Sequence, residues 1–149
     1  MNGPEIDILR LASQGFCCAQ ILLQLALDLQ GRENPGLVRA MGGLCHGLAS
    51  NRGPCGVLTG GSCLISYYAG KGRPEDEADD QLLLLLSEFE DWFRKTSQGR
   101  FGGSTCADIV SGGVPEPQIC GGLLAEAYAM IVTMLQENGF DLTKSPEYG

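Results

Sequence analysis

The sequence contains no Cys-x-x-Cys pair, although seven of its 149 residues are cysteine. That omission removes the thioredoxin-type active site, the paired zinc knuckle and ferredoxin-type cluster spacing, each of which needs cysteines two residues apart. No stretch alternates apolar and polar residues over the length of a strand, so nothing supports a sheet. Positive charge is scarce and scattered: 10 Lys and Arg stand against 18 Asp and Glu, a net charge of −8. Without a basic patch, neither nucleic acid nor an anionic membrane surface is an expected partner. Glycines at 53, 56, 60 and 61 suggest a phosphate loop in composition only, because no Gly-Lys-Ser/Thr follows, and "GGLLAEAY" lacks the strand that precedes a dinucleotide site. Histidine occurs once, His46 beside Cys45, and a lone histidine reads as a surface or hydrogen-bonded residue before it reads as a ligand.

A secretory leader is also missing from the first residues, where Glu5, Asp7 and Arg10 arrive at once; the reading is a cytoplasmic protein. The longest uncharged run, residues 53–70, approaches the length of a membrane span, but Pro54 and glycines at 56, 60, 61 and 70 make it a poor one. A buried helix is expected there, and no membrane partner. Seven cysteines in a reducing compartment point to metal binding or redox chemistry before structural disulfides.

What the chain does have is apolar residues at helical spacing in segment after segment, with 44% hydrophobic residues to bury. The expected fold is all-α, a single domain over residues 1–149 built as a bundle of five to six helices. Asn2-Gly3-Pro4 opens the first, which Gly15 closes; the second runs from about Cys17 to Gln30. Asn34-Pro35 opens a third carrying Leu37, Val38, Met41, Leu44, Cys45 and Leu48, and Gly53-Pro54 opens a fourth. After the polar loop "GKGRPEDEADD", a helix from about Gln81 to Ser97 places Leu82, Leu85, Leu86, Phe89, Trp92 and Phe93 on one stripe. A short turn follows around residues 106–110, then the loop "SGGVPEP", then a last helix from about Cys120 to Glu137 stopped by Asn138-Gly139.

Four cysteines fall at the start of these segments: Cys18, Cys55, Cys106 and Cys120. A helix start offers unpaired N–H groups and the positive end of the macrodipole, both of which favour a thiolate, the form that acts as nucleophile or metal ligand. Helical phase sets Cys18 on the face of Leu22 and Leu25, inward, and Cys17 on the side of Gln24 and Asp28. Cys63 lies eight residues beyond Cys55, too far along one helix for the two to bond. Taken alone, Cys45 and Cys63 read as small buried hydrophobes.

The order of these residues resembles the C-GCAxxG-C-C family, named for redox-active proteins, over nearly the whole chain. Cys18-Ala19-Gln20 is similar to the family's leading cysteine segment and Cys55-Gly56-Val57-Leu58-Thr59-Gly60 to its core. Cys106-Ala107-Asp108-Ile109 and Cys120 correspond to the third and last cysteines, and "MGGLCHG" to a glycine-rich segment. "GFCC", Cys45 and "AGKGRPED" are similar to a subgroup from anaerobic sulfate- or metal-reducing bacteria. Pro54 before Cys55 departs from the family's usual lead-in. The resemblance implies redox chemistry, and a related domain implies an iron-sulfur centre.

Together these readings place Cys18, Cys55, Cys106 and Cys120 in one site, with Gly56, Gly60 and Gly61 clearing an approach for helices and for a cofactor or partner thiol. The first expectation is thiol/disulfide exchange with a redox partner protein or a small-molecule thiol or disulfide, which would make the chain a thiol-based oxidoreductase. The second is an iron-sulfur cluster or zinc on the same four thiols, with Cys17 and Cys45 as secondary ligands. The third is a non-catalytic interaction module with inert thiols. A homodimer is compatible with the glycine-rich helix faces.

Overall fold

The computed structural model describes residues 3–110 and 116–144. Among them are seven α-helices, no named strand, and one isolated antiparallel bridge. The helices are α1 (Pro4–Ser13), α2 (Cys18–Gln30), α3 (Pro35–Met41), α4 (Gly56–Ala69), α5 (Leu82–Phe101), α6 (Cys106–Ile109) and α7 (Pro117–Glu137). The fold is all-α. One helix more than expected appears because the turn after Thr105 closes on itself: Asp108 N–H donates to Thr105 Oγ1 at 3.0 Å, and Thr105 N–H to the Asp108 carboxylate at 3.3 Å.

α2 is the central helix, buried on both sides. Ile21, Leu22, Leu25 and Ala26 belong to the main core with α1, α4, α5 and α7, while Ala19, Leu23 and Leu27 pack on Val38, Met41 and Cys45. α2 and α4 lie close enough that a methyl on Gly60 would sit 2.6 Å from Ala19 Cα; one on Gly61 would sit 2.5 Å from the Phe89 ring. Gly60 and Gly61 therefore serve helix packing, against α2 and α5, and neither lines the cysteine cavity described below. The expectation that they clear space for a cofactor is corrected on that ground; their steric freedom is spent on helix approach.

α5 carries the expected stripe inward through Leu85, Phe89 and Phe93, and the surplus leucines Leu83 and Leu84 are 78% and 56% exposed. It runs past Gly99 to Phe101, four residues beyond the expected stop, and is capped by a left-handed Gly102 (φ 81°). α7 starts at Pro117, three residues before the expected start; the loop assigned to residues 111–115 lies outside the described residues. Gln118–Glu137 is long and apolar enough to cross a membrane (mean hydropathy 1.5), but its Leu123, Leu124, Ala127, Ile131 and Leu135 belong to the core.

The largest departure follows α3. Helical spacing suggested continuation to Leu48, whereas the helix ends at Met41, and Cys45 is extended (φ −84°, ψ 162°). Next come four non-glycine residues in the left-handed region: His46 (58°), Leu48 (60°), Ala49 (70°) and Asn51 (64°). Such backbone costs roughly 1–2 kcal/mol per residue, so tertiary bonds must hold it. Gly53 N–H reaches Gly47 O at 3.1 Å, closing the loop, and Asn51 N–H reaches His46 O at 3.1 Å. Leu48 is turned out to solvent, 53% exposed, off the stripe it was expected to share with Met41.

Candidate functional site

Six of the seven cysteines line one cavity of about 320 Å³: Cys17, Cys18, Cys45, Cys55, Cys106 and Cys120. Ile8, Phe16, Ile21, Ile109, Val110 and Leu124 supply apolar wall between them, and the exposed His46 and Leu9 also line it. No Asp, Glu, Lys or Arg among the described residues lines it.

Local structure places each thiol. The bridge between Pro54 and Thr105 is flanked by hydrogen bonds from Cys55 N–H to Ser104 O (2.9 Å) and from Cys106 N–H to Gly53 O (3.2 Å). Residues flanking a bridged pair project to the opposite face from that pair, so Cys55 and Cys106 emerge on one face, at the starts of α4 and α6. Ser104 is anchored in turn by the buried Ser97 hydroxyl at 2.8 Å. Cys18 is the first residue of α2, and Cys120 sits in the first turn of α7, its N–H bonded to Glu116 O at 2.9 Å. Cys63 is absent from this cavity and packs beside the smaller apolar cluster.

Cys17 and Cys45 are joined by a disulfide, with Cα atoms 6.2 Å apart across 28 residues. Cys17 caps α2, held by its N–H to Gln20 Oε1 at 3.1 Å. Phase assigned it to the polar side of the helix; as the residue before the first helical turn it follows its own backbone direction and reaches Cys45 instead. Both were secondary metal candidates, and in this disulfide neither is a thiolate ligand. No spacing in the sequence singles out this pairing.

The electrostatics overturn a simple helix-start rule. Cys55 accepts from Val57 N–H at 3.5 Å, yet burial dominates and pushes its thiol up to about 11. Cys106 is also raised, first by burial and then by the charge at Cys120. The interaction with Cys120, and then burial, raises Cys18 strongly. The interaction with Cys18 in turn lowers Cys120, to about 6, helped by the Glu116 backbone and opposed by burial. Of the four thiols expected to be depressed by helix N-termini, only Cys120 is, and a neighbouring thiol is the larger cause.

Residues 16–134 match the family model described as "Putative redox-active protein (C_GCAxxG_C_C)". The chain belongs to that family. Its span covers every cysteine of the cavity, the disulfide included. No curated protein and no solved structure matches the chain.

Four thiols are the right donors for an iron-sulfur cluster or zinc. Their placement does not fit: among the described residues no group of three or more His, Cys, Asp or Glu side chains is positioned to hold one ion.

Proposed function

We propose that the chain is a thiol/disulfide exchange protein in which Cys120 is the attacking sulfur and Cys18 its resolving partner. The observation that supports this reading is that both sulfurs line one uncharged cavity at the starts of α2 and α7, where Cys18 lowers the Cys120 thiol to about 6 while Cys18 itself is raised. A thiolate near ambient pH is the efficient attacker in exchange. Cys120 attacks one sulfur of an incoming disulfide, giving a mixed disulfide and a released thiolate. Cys18 then loses its proton to that leaving thiolate and attacks Cys120, so that Cys18–Cys120 forms and the substrate leaves as one thiol and one thiolate. Two electrons pass from the protein to the substrate, and the reverse sequence oxidises a dithiol.

The uncharged cavity favours a neutral disulfide, either a small molecule or an exposed disulfide of a partner protein in an apolar setting. Cys55 and Cys106, protonated at neutral pH, line the same cavity without being the attacking group. A neutral probe, 4,4′-dithiodipyridine, tests the assignment with Cys17–Cys45 left oxidised. Wild type should react much faster than free cysteine at pH 6.5, and Cys120→Ser should lose that phase while Cys63→Ser keeps it. Reaction no faster than free cysteine would favour the inert interaction module. A fast phase surviving in Cys120→Ser would remove Cys120 from its role.

A further inference from the structure

Beyond the Cys18/Cys120 pair, the cavity wall holds a disulfide that the exchange reaction does not use. We infer that Cys17–Cys45 is a second redox couple, which exchanges its oxidation with Cys18 and Cys120 across the shared cavity. The inference rests on the exchange reading above and adds to it an internal store for two electrons.

Three observations carry it. All four residues line the same cavity, so no wall separates the disulfide from the thiols. Gly56 is the spacer between them: a methyl there would lie 3.5 Å from Cys18 Cβ and 3.5 Å from Cys45 Cα, so both face one glycine-sized gap. Cys45 also leads directly into the left-handed residues His46, Leu48, Ala49 and Asn51, and strained backbone of this kind clusters where a segment must rearrange. A purely structural cross-link has no need of either feature.

The exchange balances without an external oxidant. Cys18 passes its proton to Cys120 and attacks Cys45 Sγ; the Cys17–Cys45 bond breaks, and its electron pair leaves on Cys17. Cys17 suits that role, because it caps a helix of 13 residues whose free N–H groups and dipole favour a leaving thiolate. Attack on Cys17 itself would close a ring between chain neighbours, so Cys45 is the target. The proton on Cys120 then moves to Cys17, the Cys120 thiolate attacks Cys18, and Cys45 leaves as thiolate. One disulfide, one proton and one negative charge stand on each side, and two electrons have moved from Cys18 and Cys120 to Cys17 and Cys45.

The test maps disulfides in the full chain, held without air or added oxidant at pH 8, quenched in acid, alkylated and digested. Wild type should carry its bond partly on Cys17–Cys45 and partly on Cys18–Cys120, in a ratio unchanged by dilution. Cys120→Ser should accumulate Cys18–Cys45 with Cys17 alkylated. Should that variant not fold, Cys17→Ser given one equivalent of 4,4′-dithiodipyridine should carry Cys18–Cys45 beside the Cys18–Cys120 bond that the probe first forms, as Cys45 attacks Cys18. A bond that stays wholly on Cys17–Cys45 in wild type, with no Cys18–Cys45 in either variant, overturns the relay. If Cys18–Cys120 still forms on adding the probe in that case, thiol exchange stands and only the relay falls; if it does not form, both fall.

Discussion

Reducing the Cys17–Cys45 disulfide should destabilise the fold by an amount its loop length sets. The bond closes 28 residues, and the chain-entropy relation for such a loop gives about 3.6 kcal/mol at 25 °C. For a chain of this size that corresponds to a fall in Tm of about 7–14 °C. Cys17→Ser is the better perturbation, because Cys17 is half-buried whereas a hydroxyl at Cys45, 3% exposed, would add its own burial cost. Urea unfolding of wild type with and without reductant, beside the variant under both conditions, separates the contributions. The variant should match reduced wild type and ignore reductant, and oxidised wild type should show the smaller m value, since a cross-linked unfolded chain exposes less surface. Equal stability of oxidised and reduced wild type would show that this bond adds nothing to the fold. A variant as reductant-sensitive as wild type would place the bond elsewhere.

The alkylation rate of Cys120 against pH should reach half its maximum near pH 6, and Cys18→Ala should move that midpoint up toward the ordinary thiol range. Stability should rise with pH between about 6 and 9, where the unfolded chain still holds the proton that folded Cys120 has lost, and fall again above 9, where Cys18, Cys55 and Cys106 keep protons the unfolded chain releases. Gly60→Ala should cost about 1–3 kcal/mol in urea unfolding, because its methyl meets backbone at 2.6 Å, whereas Gly56→Ala, with ordinary 3.5 Å contacts, should leave stability nearly intact and slow exchange between the two cysteine pairs. Leu83→Glu should change stability by no more than about 0.5 kcal/mol, since that leucine is 78% exposed.

Helices were legible wherever a local rule governed them. Pro4, Asn34-Pro35 and Asn138-Gly139 marked boundaries through capping and the missing proline N–H, and Leu85, Phe89 and Phe93 declared the buried face of α5 by spacing alone. Spacing failed from Met41 to Asn51. Met41, Cys45 and Leu48 have helical intervals, yet the backbone turns left-handed at four side-chain-bearing residues, which no local preference favours. Contacts with Gly53 and Cys106, distant in sequence or tied by the Pro54–Thr105 bridge, hold that path. The Cys17–Cys45 pairing was illegible for the same reason, since it depends on where that loop returns the chain.

The position of the thiolate follows from which effect is larger at each sulfur. A helix start lowers a thiol's pKa only while the sulfur keeps some access to water; Cys55 is 6% exposed, and burial there outweighs the Val57 and Leu58 amides. Cys120 escapes because Cys18 lowers it across the shared cavity, a neighbourhood set only once α2 and α7 are brought together. Which thiol is lowered is therefore set by tertiary contact, while the sequence motif supplies the set from which it is chosen. The cavity brings several raised thiols, one lowered thiol and one disulfide together without a charged side chain. On the proposed reading one thiolate at a time suffices, whereas four simultaneous thiolates in the same uncharged cavity would repel one another unless a cation offset them.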